Sequence, residues 1–112
     1  MHLVTAIVKP HRVESITEAL KGIDVTGMTI ADVQGFGRQR GHTEVYRGSE
    51  YNVDFLPKVR VDVLCGDDDA NKIADVIADA ARTGKIGDGK IWITEVAHVT
   101  RVRTSETGED AL

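Results

Sequence analysis

A chain of 112 residues, 41% apolar and 29% charged, makes one domain with a modest core. Its net charge of −4 argues against the basic face of a general nucleic-acid binder, so no direct nucleic-acid partner is expected, yet a local basic pocket for a small anion remains open. Cys65 is the one cysteine, which rules out an intrachain disulfide and fits a reducing compartment; "MHLVTAIVKP" is too short and interrupted for a signal peptide, and no run reaches the ~20 apolar residues of a membrane span, so a cytoplasmic location is expected.

Along the chain, "HLVTAIVK" (2–9) is apolar and β-branched and stops at Pro10, which reads as a buried strand. From His11 the period changes. Val13, Ile16, Leu20 and Ile23 recur at helical spacing with Glu14, Glu18 and Lys21 between them, predicting an amphipathic helix that ends near Gly22. Residues 24–35 predict a second strand, weakened near Gly27. An aperiodic stretch follows, and it holds both tyrosines, Tyr46 and Tyr51, with Phe36 and Phe55 near its ends. Structureless excursions of about twenty residues in compact domains tend to be functional. A disordered insertion of no consequence is the plain alternative, but the aromatics and the Arg/Glu density favour a contact surface that orders on binding.

"KVRVDVLC" (58–65) alternates cleanly as a half-buried strand. "GDDD" (66–69) offers helix caps, and Ile73, Val76, Ile77, Ala80 and Ala81 share one helical face after it. "RTGKIGDGK" (82–90) breaks that helix. Residues 91–103 predict a last strand, extended or bulged, before a loose acidic tail. The order is the split β-α-β, ferredoxin-like α+β pattern, β-α-β-β-α-β, with two helices on one face of four antiparallel strands. The other face, with Val59, Val61 and Val63 or their neighbours on it, would need covering, which symmetric oligomerisation supplies.

Three glycine- and arginine-rich patches could carry chemistry. In "GFGRQRG" (35–41) the glycines admit a ligand to the backbone and Arg38 and Arg40 supply charge, but the spacing misses both common phosphate-loop patterns. In "TGKIGDGK" (83–90), Gly84, Gly87 and Gly89 could form a nest of N–H groups beside Lys85 and Lys90, or simply cap the helix and turn. Arg101 and Arg103 point one way if their segment is extended, a pair of forks suited to polyphosphate; a solvated strand end is the alternative. Enzyme chemistry is poorly supported. His2, His11, His42 and His98 lack metal-ligand spacing, Cys65 sits on an apolar strand face, no Ser/His/Asp order is legible, and Trp92 reads as packing.

The segments 35–58, 83–92 and "RVRT" (101–104) resemble the signature segments of the nitrogen-regulatory PII signal-transduction proteins, and the likeness runs from Met1 to about Thr107. The resemblance implies a ferredoxin-like homotrimer made of one PII domain, 1–112. Its T-loop would span about 37–55, between the second and third of the four main strands, its B-loop about 82–90 and its C-loop about 101–112. It implies ATP or ADP as effector ligands in clefts between subunits, meeting Thr29, Gly37, Arg38, Gln39, Leu64, Gly87, Asp88, Gly89 and Lys90, with Arg101 and Arg103 from the adjoining subunit. With MgATP, 2-oxoglutarate would bind near Gln39, Gly41, Lys58 and Gly87, Gln39 also helping to hold magnesium. Tyr51 matches a position that a nucleotidylyltransferase modifies with UMP or AMP, and Ser49 one that other branches phosphorylate. Arg47 matches the residue that enters an ammonium transporter, a contact that would bring the chain to the membrane. Nitrogen-assimilation regulators or enzymes are the other implied partners. Asp62 and Leu64 stand where relatives often carry Glu and Val, and "CGDDDA" (65–70) replaces a segment that often carries proline. The function expected is sensing of nitrogen, carbon and energy status without catalysis. A slow ATP-hydrolysing enzyme in the same cleft is the rival, and an RNA-binding sheet is disfavoured because strands 2–9 and 58–65 hold no aromatics.

Overall fold

The structure, a computed structural model, describes residues 1–37, 43–46, 49–52 and 55–112, the two short internal stretches in their main-chain course only. Strand β1 (His2–Val8) leads through a 3-10 turn (Pro10–Arg12) into helix α1 (Val13–Lys21), then strand β2 (Thr29–Gly35). Strands β3 (Thr43–Tyr46) and β4 (Ser49–Asn52) follow, then β5 (Leu56–Cys65), α2 (Ala70–Ala81), β6 (Lys90–Glu95) and a 3-10 turn (Gly108–Ala111). The main sheet runs β2-β5-β1-β6, and every pairing in it is antiparallel. Each β-α-β unit is therefore split by a strand of the other, and the α+β, ferredoxin-like arrangement expected from the sequence is the one observed.

The alternation on β5 sets the two faces of the sheet. Val59, Val61, Val63 and Cys65 are buried with Val4, Ala6 and Val8 of β1 beneath Ile16 and Leu20 of α1 and Ile73, Ile77 and Ala81 of α2. Of the two options the sequence left open for the bare face, the valines or their neighbours, the structure takes the second: the helices cover the valines, because both amphipathic helices bury their apolar stripes on that side. The open face carries the residues between. Thr5 on β1, Asp62 on β5 and Thr29 on β2 sit opposite one another across neighbouring strands. There Asp62 accepts from Thr5 Oγ1 at 2.7 Å and Arg60 Nε at 2.9 Å. Burial works to raise the Asp62 pKa, but these two donors outweigh it and hold the carboxyl below its usual range. Leu64 and Trp92 are apolar and exposed on this same open face, as the register to Leu3 and Thr5 requires.

Three element bounds differ from expectation for local reasons. First, α1 ends as expected with Gly22 as its C-cap, but β2 begins at Thr29 rather than at Asp24. Val25 N–H donates to Leu20 O at 3.0 Å and Asp24 N–H to Lys21 O at 3.1 Å, a Schellman closure with Asp24 at φ 64°. The chain then peels away from β5 and joins the sheet only at Thr29. Second, β6 ends at Glu95 rather than near 103, because its partner β1 begins opposite it at His2, and beyond that only Met1 O remains, accepting Val96 N–H at 3.0 Å. Third, the excursion is not structureless. Thr43–Tyr46 pairs with Ser49–Asn52 as a separate antiparallel ribbon, Glu44 opposite Tyr51. The molecule is elongated, 59 × 25 × 20 Å, with a radius of gyration of 17.0 Å against about 13 Å for a compact chain of this length.

Candidate ligand-binding site

The candidate residues fall at the two opposite ends of the sheet. At one end β2 finishes, β5 and β6 begin, and loop 82–89 folds over them. Helix α2 ends at Ala81, with Arg82 already extended and Arg12 of the 3-10 turn donating to Ala80 O at 2.6 and 3.0 Å. The glycines beyond therefore serve the loop, not the helix cap: Gly84, Gly87 and Gly89 all have positive φ. At Gly89 a Cβ would also lie 1.7 Å from Ile7 O, so no other residue lets the loop seat so close to β1.

Asp88 holds this loop in shape. Its carboxylate accepts from the Thr83 hydroxyl, from Thr83 N–H at 2.8 Å and from Gly84 N–H at 2.9 Å, and Lys9 Nζ lies 3.2 Å away. The Thr83 hydroxyl, ahead of the two N–H donors and Lys9, drives the Asp88 pKa far below the usual carboxylate range against the effect of burial. Part of the expected N–H nest is thus already filled by an internal anion, and the Asp88 side chain is turned into its own loop. Lys58, buried although charged, donates from Nζ to Gly87 O and so fastens the start of β5 to the loop. Burial, then the nearby Lys9 charge, lowers the Lys58 pKa, with Asp88 opposing. The ammonium sits where an additional anion would be welcome.

At the opposite end, Thr29 and Leu64 line an open cleft of about 760 Å³ between segment 23–29, the end of β5 and Ala111–Leu112. The segment carrying Arg101 and Arg103 is not the extended strand that would align their side chains. Arg101 N–H donates to Glu106 O at 2.8 Å and Ser105 N–H to Arg101 O at 2.9 Å, closing a turn whose Val102 is 95% exposed. The turn forms because the chain has left the sheet and Ser105 adopts φ 60°. Arg101 also reaches Glu106 Oε1 at 2.9 Å and Leu112 O at 3.0 Å, which places it at the cleft's edge.

Gly37, Lys58, Gly87, Asp88, Gly89 and Lys90 thus share one end of the sheet, and Thr29, Leu64, Arg101 and Arg103 the other. The six residue steps along β5 from Lys58 to Leu64 separate the two ends by about 20 Å. Arg38, Gln39, Gly41 and Arg47 lie outside the described residues, and Tyr51 is placed on β4 by its main chain alone. Among the described residues no group of three or more His, Cys, Asp or Glu could hold a metal ion, and no helix is long and apolar enough to cross a membrane. Sequence reasoning missed Lys9, Thr83 and Glu106. Lys9 meets Thr83 across 74 positions and left no local signal, whereas Thr83 and Asp88, five apart around glycines, were a legible loop clamp.

A split β-α-β sheet with a glycine loop clamped over one end and an arginine turn at the other puts the chain in the ferredoxin-like α+β class. The model of the family described as nitrogen regulatory protein P-II matches residues 1–106. The chain is 53% identical to the nitrogen regulatory protein GlnK of Escherichia coli (strain K12), and 50% identical both to the nitrogen regulatory protein P-II of Rhizobium meliloti (strain 1021) and to the nitrogen regulatory protein P-II 1 of Escherichia coli (strain K12), in each case over 112 residues and the whole of both chains. The chain belongs to the nitrogen regulatory protein P-II family.

Proposed function

We propose that this chain is a nitrogen-status signalling protein that binds ATP or ADP between the subunits of a homotrimer. With MgATP it also binds 2-oxoglutarate. It regulates partners through the segment that bears β3 and β4. The observation that carries this reading is the bond from Lys58 to Gly87 O, which brings two residues named for the 2-oxoglutarate site together from separate elements, with an ammonium already depleted of water around it. The roughly 20 Å between the two half-sites supports a shared cleft. One nucleotide reaches Thr29, Leu64, Arg101 and Arg103 as well as Gly87 to Lys90 only where the end of one copy abuts the opposite end of the next. The exposed Leu64 and Trp92 on the open face, and Ile30 on edge strand β2, give that contact apolar surface.

Ligand occupancy then acts on the excursion. Lys58 lies two residues beyond the start of β5 at Leu56 and Gly37 two residues past the end of β2, so a bound dicarboxylate with magnesium on Gln39 restrains both hinges. Each ligand favours the arrangement it binds better, and partners such as an ammonium transporter, met through Arg47, read the result. Nucleotidylation at Tyr51 adds charge and bulk on β4 and alters that docking surface. The test is calorimetry on full-length variants. Gln39→Ala and Lys58→Ala are expected to abolish 2-oxoglutarate binding in the presence of MgATP while the trimer persists on gel filtration. Unaltered 2-oxoglutarate binding in either variant overturns the assignment.

A further inference from the structure

Arg101 and Arg103 are two positions apart on one turn yet stand in different electrostatic states. Arg103 makes no hydrogen bond or ion pair among the described residues. Both terminal nitrogens of Arg101 are engaged, Nη1 by Glu106 Oε1 at 2.9 Å and Nη2 by Leu112 O at 3.0 Å. The acceptors are a side-chain carboxylate oxygen and a main-chain oxygen, one on each terminal nitrogen, and these are the two nitrogens a guanidinium fork offers to a pair of phosphate oxygens. The pair is half exposed, 38% and 45%, so it exchanges readily with a solution anion. Glu106 is also tied to Arg101 independently of its carboxylate, because its main-chain oxygen accepts Arg101 N–H at 2.8 Å. Altering the Glu106 side chain therefore leaves the turn closed.

We propose that Glu106 is an affinity-setting residue for the nucleotide site, its carboxylate occupying the Arg101 fork as an internal stand-in that phosphate must displace. This rests on the nucleotide reading above. An arriving polyphosphate exchanges the Glu106 and Leu112 oxygens for its own, so the net gain at Arg101 is the difference between two anion pairings and not the whole of one. The device keeps the site answerable to changing nucleotide levels, and it couples occupancy to release of segment 106–112 from the cleft edge. Arg103, unpaired in the same turn, gives first capture.

The test is calorimetric titration of full-length protein with ATP, using the parent chain, Glu106→Gln, Arg101→Ala and the double variant. Glu106→Gln keeps the shape and removes the charge. It is expected to tighten ATP binding about two- to fivefold, the range an exposed ion pair supports. Arg101→Ala is expected to weaken binding, and the double variant to match Arg101→Ala, since without the fork Glu106 has nothing to withhold. Weaker or unchanged binding in Glu106→Gln alongside a weakened Arg101→Ala overturns the stand-in and leaves the nucleotide reading intact. Unchanged binding in Arg101→Ala removes Arg101 from the nucleotide site and the proposal with it.

Discussion

Asp88 shows how a single side chain can shape a loop by turning into it. Two main-chain N–H groups, the Thr83 hydroxyl and Lys9 converge on its carboxylate, and the Lys58 bond to Gly87 O completes the frame one residue away. The folded pKa of Asp88 lies below the unfolded one, so its contribution is present above about pH 4 and drains away as the pH falls through the folded value. Asp88→Asn cannot accept from all these donors, and its amide hydrogens would face Lys9. At neutral pH the variant is expected to lose about 1 kcal/mol, the order of one charge-assisted bond in a partly exposed setting. Thermal melts from pH 7 to pH 2.5 at one protein concentration check this. The melting-temperature gap between parent and variant should narrow steadily below pH 4, and a gap that stays constant would show that the carboxylate's charge is not what holds the loop.

Among the elements, the closure after α1 is the clearest point of strain. Asp24 sits at φ 64°, a region L-residues enter at a cost of roughly 1–2 kcal/mol, eased for Asp by local hydrogen bonding. Asp24→Gly removes that cost and adds some unfolded-state entropy, so a net gain of about 0.5–1 kcal/mol is expected, read as a melting temperature a few degrees higher. A lower one would mean that the carboxylate itself supports the cleft it lines. The same closure explains why the start of β2 was illegible. "DVTGMTI" carries β-branched residues enough for a strand, but the Schellman bonds steer the chain off the sheet until Thr29. The end of β6 failed for a different reason: strand propensity runs on through Val99 and Val102, but beyond His2 only Met1 is left to pair with. The ribbon of β3 and β4 was hidden because its residues, TEVY and SEYN, are mostly charged or polar and show no apolar period of two in the sequence. By contrast β5 and α2 were legible outright, since each buries one apolar face and period records burial. Of the candidate site, the loop glycines and the arginine pair were visible as residue types. Their separation to opposite ends of β5, and the partners Lys9 and Glu106, depend on pairing that no local pattern encodes.

At the scale of the whole molecule, the separation of the half-sites becomes a statement about assembly that mixing can test. If each nucleotide site takes loop 82–90 from one copy and the Arg101 turn from its neighbour, a Lys90→Ala chain and an Arg101→Ala chain each spoil every site in their own trimers. Unfolded together in equal amounts and refolded, they form trimers in which some sites draw their loop from the Arg101→Ala chain and their turn from the Lys90→Ala chain. Those sites are intact, and random association makes them about a quarter of the total, since each half has even odds of coming from the unaltered donor in a cyclic assembly. Calorimetric titration with ATP should therefore show about that fraction of sites at parental affinity in the mixture, against uniformly weakened binding for either variant alone. Should the two half-sites serve one ligand within a single chain, no mixture restores a site, because every chain carries one defect. The roughly 20 Å along β5 already weighs against that arrangement, and the recovered fraction is a direct measure of how completely the site belongs to the interface.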